Sequence, residues 1–174
     1  NNRKSKIENS RSAAVYMTLA GANPNADFAG TEILEHKTNY FKGAESDWRT
    51  NISNYGQVRA NGIYEGIDMV WYGKPQSGVR YDFVVSPNAN PDQIEWEIKG
   101  ATNVEKTTEG DLIIKTEYGE IRQNKPFTFQ EIDGLKTEVE SGFVLSKTSA
   151  SNAEPFRVKF SLGNYDRSRS LTID

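Results

Sequence analysis

The sequence predicts an all-β fold, a large antiparallel β-sandwich of roughly eleven to thirteen strands with little or no helix. Three observations carry this reading. Apolar residues alternate at period two in many short segments, as strands with one buried face require. Gly, Pro, Asn and Asp punctuate those segments about every eight to twelve residues, the spacing of a sandwich. No window of about twelve residues repeats its apolar residues at the helical period.

The first clean alternation is Val15, Met17 and Leu19 against Tyr16 and Thr18, ended by Asn23-Pro24-Asn25. Asp27 to Ile33 and Asn39-Tyr40-Phe41 read as two short strands, the second closed by Gly43. Tyr55 to Asn61 and Ile67 to Tyr72 flank Gly62 and Gly66. Val79, Tyr81, Phe83 and Val85 alternate with Arg80, Asp82 and Val84; Ile94, Trp96 and Ile98 alternate with Glu95, Glu97 and Lys99. Between these two strands lies a turn-rich connection, Pro87 to Asp92.

The second half reads as a run of hairpins. Leu112-Ile113-Ile114 follows Glu109-Gly110-Asp111, and Tyr118-Gly119-Glu120 turns the chain into Ile121-Arg122-Gln123. Phe127 and Phe129 lead to Asp133-Gly134, a strong two-residue hairpin signal. Val139, Phe143-Val144-Leu145, the alternation Phe156 to Leu162 and Leu171-Thr172-Ile173 complete the set; Lys147 to Glu154 reads as a polar loop. The best helix candidate, Ala44 to Thr50, is two turns at most. Residues 1–13 are polar and read as a lead-in or linker, with residues 14–174 as one β-sandwich domain.

Composition narrows the function. Nineteen aromatics (8 Phe, 8 Tyr, 3 Trp) supply a core to a chain with only 36% hydrophobic residues. The net charge of -3 comes from 21 basic and 24 acidic residues mixed along the chain. No basic face appears, which argues against nucleic acid as a partner. No run approaches the roughly 18 apolar residues of a membrane span, so no membrane insertion is expected. The absence of cysteine excludes disulfides, thiolate metal sites and cysteine nucleophiles. His36 stands alone as the one histidine and reads as a solvated loop residue. No metal ligand set and no cofactor are expected.

Three stretches carry a family resemblance. The first is Asn39-Tyr40-Phe41-Lys42-Gly43, through Asp47-Trp48-Arg49-Thr50-Asn51 to Tyr55, then Gly62 to Gly73. The second is Tyr81-Asp82-Phe83-Val84-Val85 with Pro87, Ala89, Pro91 and Ile94. The third is Gly110-Asp111-Leu112, Ile121 to Pro126, and Gln130-Glu131-Ile132-Asp133-Gly134. Together they resemble the domain of unknown function that precedes SBBP-type β-propeller repeats in large bacterial cell-surface proteins. The resemblance covers most of residues 15–174 and implies an exported, multidomain parent, located extracellularly or at the cell surface. It implies no reaction. Members usually begin with further upstream strands, whereas here only residues 1–13 precede the first strand. Missing strands would leave a sheet edge or apolar face open, and such edges recruit partners.

The expected function is therefore a non-catalytic structural or adhesion module, whose partners are a protein or glycan at the cell surface and other domains of the same parent. A carbohydrate-binding module is the alternative. Aromatic rings stack on the C–H faces of sugars, and Trp48, Arg49, Asn51, Trp71 and Tyr72 are the candidate ligand-binding residues. Core filling is the competing reading for Trp71 and Trp96, while Trp48 is equally suited to either role. Asp68 and Asp82 are the candidate carboxylates of a glycosidase, a reading set below structural pairing with Arg49, Arg59 or Arg80. The Asn88–Asp92 and Glu109–Asp111 clusters read as turns rather than calcium loops.

Overall fold

A strand buries one face only if a second layer covers it, and the chain solves this with three antiparallel sheets. The computed structural model describes residues 12–74, 78–147 and 155–174. Residues 1–11 of the expected lead-in, and residues 148–154 of the expected polar loop, lie outside the described residues.

The largest sheet has seven strands: β11 (Leu135–Val139), β10 (Thr128–Ile132), β14 (Leu171–Ile173), β5 (Gly78–Val85), β4 (Ile67–Lys74), β3 (Arg49–Tyr64) and β2 (Asp27–Tyr40), in that spatial order. A second sheet orders β1 (Tyr16–Leu19), β6 (Glu95–Lys99), β13 (Phe156–Leu162) and β12 (Ser141–Lys147). The third, β7 (Asn103–Lys106), β8 (Leu112–Thr116) and β9 (Gly119–Gln123), adds Val104, Leu112 and Ile114 to the same core. The all-β class stands as expected, with fourteen strands among the described residues.

Period two decides which residues form the core. On the large sheet the row Ala60, Met69, Phe83, Ile173 is buried, and each residue faces the next across a strand pair. From the second sheet Trp96, Ile98, Phe143 and Val158 meet that row. Phe83 joins the layers, with ring centroids 6.0 Å from Trp96 and 5.9 Å from Phe160. Trp96 is thus a core residue, as its alternation suggested.

Local chemistry sets the turns. Asp133 and Gly134 both have positive φ, 53° and 78°, the backbone of a type I′ turn, and they join Ile132 to its partner Leu135. Asn90 accepts a bond from Asp92 N at 3.1 Å and caps the 3-10 turn Pro91–Gln93. In the Glu109–Asp111 turn, Asp111 Oδ1 accepts from Lys125 N at 2.7 Å and Oδ2 from Arg122 Nε at 2.8 Å. Those bonds commit both oxygens to tying this turn to β9 and to the segment that follows it. The helix candidate at 44–50 reduces to one 3-10 turn, Glu45–Asp47, because Trp48 already has extended dihedrals. His36 is solvent-exposed as expected, but it lies within β2 rather than in a loop.

Candidate functional site

β2 and β3 form one long hairpin that outruns the rest of its sheet. β3 pairs with β4 only from Gln57 to Tyr64, while its pairing with β2 extends outward to Arg49. The outer part is therefore a two-stranded arm. None of residues 27–59 is buried, and residues 41–50 at the tip are all exposed. Cross-strand polar contacts hold the arm together: Lys37 Nζ to Ser53 Oγ at 2.8 Å, and Asn54 Nδ2 to Thr38 Oγ1 at 2.9 Å.

The arm is polar in its bonding but apolar in much of its surface. Eight of the fifteen large apolar side chains exposed among the described residues lie on this hairpin. At the tip, Phe41 (63% exposed) and Trp48 (43%) meet edge to face, with centroids 5.0 Å apart. Tyr40 is also exposed and faces Arg49 across the strand pair. Arg49 makes no ion pair among the described residues. Asn51, at φ 58°, takes the left-handed conformation that Asn tolerates, and its N–H bonds Asn39 Oδ1 at 2.7 Å. Nearer the body, the Tyr55 ring lies over Gly30, where an added Cβ would stand 2.5 Å from its Cγ. A side chain at residue 30 would evict the ring.

The structure splits the five candidate ligand residues. Trp48, Arg49 and Asn51 share the arm tip. Trp71 and Tyr72 belong to β4 in the sheet body, and as consecutive strand residues they project to opposite faces. Trp71 faces Val58, ten residues along from Trp48. At a strand rise of about 3.3 Å per residue, that separates the two tryptophans by roughly 30 Å. One sugar ring cannot bridge them. Trp71 is half-buried against the core, with its ring stacked on exposed Phe28 at 6.0 Å.

The model of the domain of unknown function DUF7948 matches residues 1–174. The chain belongs to that family. No curated protein and no solved structure matches this DUF7948 domain.

The DUF7948 domain also carries its candidate carboxylates on the outer face of the large sheet. Asp68 is fixed structurally, as expected: Oδ2 accepts from Arg59 Nη2 at 2.6 Å and Oδ1 from Gly62 N at 2.7 Å. Asp82 departs from the expected pairing. Its oxygen accepts from the Tyr72 hydroxyl at 2.9 Å, while Arg80 turns to Asp174. Burial raises the Asp82 carboxyl above its usual value, opposed by the Tyr72 bond, with the charge of Asp174 adding to the rise. Burial first, then the same carboxylate, push the Tyr72 phenol up to about 12. Tyr72 is thus a neutral donor holding an acid in place.

The raised Asp82 value has a consequence for pH. The folded state holds this proton more tightly than the unfolded chain does. The stabilisation is therefore complete below the unfolded carboxyl value and is lost as pH rises through the folded one. Asp82→Asn keeps an acceptor for Tyr72 and removes the half-buried charge. The variant is expected to melt above the native protein at pH 7, with the gap closing as pH falls below the ordinary carboxyl range. Thermal melts across that interval check it, and equal destabilisation at every pH would contradict it.

Proposed function

We propose that this domain is a non-catalytic adhesion module of an exported bacterial surface protein, and that it engages its partner through the β2–β3 arm. The observation that carries the reading is the arm itself. It stands outside the core, yet it concentrates exposed apolar surface, which is what an interaction site presents. An isolated two-stranded hairpin is marginal in water and gains order from a third strand. Among the described residues the outer edge of β2 has no strand partner and so offers backbone for one, with Tyr40, Phe41 and Trp48 as side-chain anchors at its end. The polar commitments of Asp68 and Asp82 favour binding over hydrolysis. The surface setting, with SBBP-type repeats further along the parent, follows the sequence resemblance.

Carbohydrate binding is the second reading, favoured by one feature. Trp48 is partly exposed and braced by Phe41, with the guanidinium of Arg49 and the amide of Asn51 nearby in the chain. The deciding experiment screens the domain against glycan arrays and immobilised surface proteins, with Trp48→Ala and Phe41→Ala alongside. We expect a ligand whose affinity falls at least about tenfold in Trp48→Ala, roughly 1.4 kcal/mol of binding, at an unchanged melting temperature. A protein ligand supports the strand-addition reading and a glycan the second. Binding retained in full by both tip variants would remove the arm from the function.

A further inference from the structure

Asn61-Gly62 is the one Asn-Gly step in the chain. It stands at the root of the β2–β3 arm, where Asn61 faces Asp27, the first residue of β2. Asparagine before glycine is the step at which a polypeptide most readily modifies itself, because glycine has no Cβ to keep the next amide nitrogen away from the asparagine side chain. The Gly62 nitrogen loses its proton and attacks Asn61 Cγ. An N–C bond forms, the C–N bond of the side-chain amide breaks, and ammonia leaves with the proton. Water then opens the resulting cyclic imide at either carbonyl, leaving aspartate or isoaspartate at position 61. One water is consumed and one ammonia released.

The fold holds every group that this reaction needs to move. Gly62 has φ 64° and lies in the irregularity of β3 between Ala60 and Tyr64, where the ladder to β4 is interrupted. A side chain meets its N–H instead: the attacking nitrogen donates to Asp68 Oδ1 at 2.7 Å. A carboxylate there holds the proton that must leave, and it opposes the negative charge that its loss creates. Asp68 is itself fixed, since Arg59 grips Oδ2 through Nε at 3.2 Å and Nη2 at 2.6 Å. The far side of the glycine is tied as well. Gly62 O accepts from Asn23 Nδ2 at 3.1 Å, and Ile63 O accepts from Asn23 N at 2.8 Å. The Asn61 amide is engaged elsewhere, its Nδ2 donating to Asp27 O at 3.3 Å.

We propose that Asn61 is a latent deamidation site held shut by Asp68, so that the modification marks the arm root only when these bonds open. Either product replaces the donor that Asn61 offers to Asp27 O with a carboxylate, and isoaspartate also adds one carbon to the backbone of β3. Both weaken the β2–β3 pairing at its inner end. The modification therefore acts on how the arm is mounted, whatever the arm binds.

The test incubates the folded domain in mildly alkaline buffer and follows position 61 by peptide mass and by isoaspartyl methyltransferase labelling. The same incubation in concentrated guanidinium chloride gives the rate of the unguarded step. Conversion in the native protein is expected to be at least about tenfold slower than in the unfolded chain. Folded Asp68→Ala is expected to convert at least about tenfold faster than the native protein, the factor for losing one bond to a charged group. Asp68→Asn, which keeps a neutral acceptor, is expected to be severalfold faster than native and slower than Asp68→Ala. Asn23→Ala, which leaves the Gly62 N–H bond in place, is expected to stay near the native rate. Melting curves establish that each variant is folded, and Asp68→Asn carries the comparison if Asp68→Ala is not. Equal rates in the native and unfolded chains, or no acceleration in the folded Asp68 variants, would overturn the proposal. A slower rate in those variants would also overturn it, making Asp68 the base of the reaction rather than its guard. Acceleration in Asn23→Ala as large as in Asp68→Ala would do the same, by assigning the protection to the turn as a whole.

Discussion

Phe83→Ala is expected to cost about 3–5 kcal/mol, the range for deleting a fully buried aromatic ring. Phe83 is 0% exposed and touches three other rings, Tyr81, Trp96 and Phe160, two of them on the opposite sheet. Removing it leaves a void at the seam between layers, where neither sheet can close without shifting the other. Since domains of this kind are stable by only about 5–15 kcal/mol, the loss is a large share of the total. Phe83→Leu keeps most of the volume and is expected to cost under about 1.5 kcal/mol. Phe41→Ala, a ring of the same size at the exposed arm tip, is expected to change stability by no more than about 0.5 kcal/mol. Urea denaturation of the three variants checks the series. A Phe41→Ala loss near that of Phe83→Ala would place the tip within a packed core.

The contrast between those two phenylalanines also marks what the sequence could and could not reveal. Alternation identified Phe83, Trp96, Ile98 and Val158, because a central strand with one buried face writes its burial directly into the chain at period two. It did not separate Phe28 from Phe83, although both lie in one cross-strand row, Phe28 opposite Ala60 and Phe83 opposite Met69. Pattern reports which face a residue is on, while burial depends on whether the second sheet extends over it. β7 escaped notice because it buries only Val104 among Asn103, Glu105 and Lys106. Asp27–Ile33 and Asn39–Phe41 read as separate strands since Glu32, at φ 55°, and a register irregularity between Ile33 and Lys37 interrupt the alternation inside β2. The pairing of Asp68 was legible because a carboxylate inside an apolar strand demands a partner. The choice of Arg59 was not, as it depends on the β3–β4 register.

Gln130→Glu is expected to destabilise the fold by about 3 kcal/mol at neutral pH, in excess of the loss from Gln130→Leu. Gln130 is buried in β10 and acts as a clamp on the connection from β13 to β14. Its Oε1 accepts from Asp166 N at 2.9 Å, and its Nε2 donates to Asp166 O at 2.8 Å, with Ser170 O at 3.2 Å beside it. The amide thus reproduces the two-way bonding of a strand partner for this irregular segment. Leucine forfeits both good bonds, worth about 1 kcal/mol each. Glutamate preserves the acceptor but points a second carboxylate oxygen at backbone carbonyls, burying a charge opposite the negative ends of dipoles. The acid's folded value is then raised, so the penalty is present at neutral pH and disappears as pH falls and the carboxyl gains a proton to donate. Denaturation measured against the native protein at each pH separates the cases. The glutamate variant should recover toward the native protein in acid, whereas the leucine variant should keep a constant deficit. Because β14 is only three residues long and bridges β5 to β10, loosening this clamp is expected to detach β10 and β11 from the large sheet first. Faster amide exchange across β10 and β11 than across β4 and β5 is the local signature of that order.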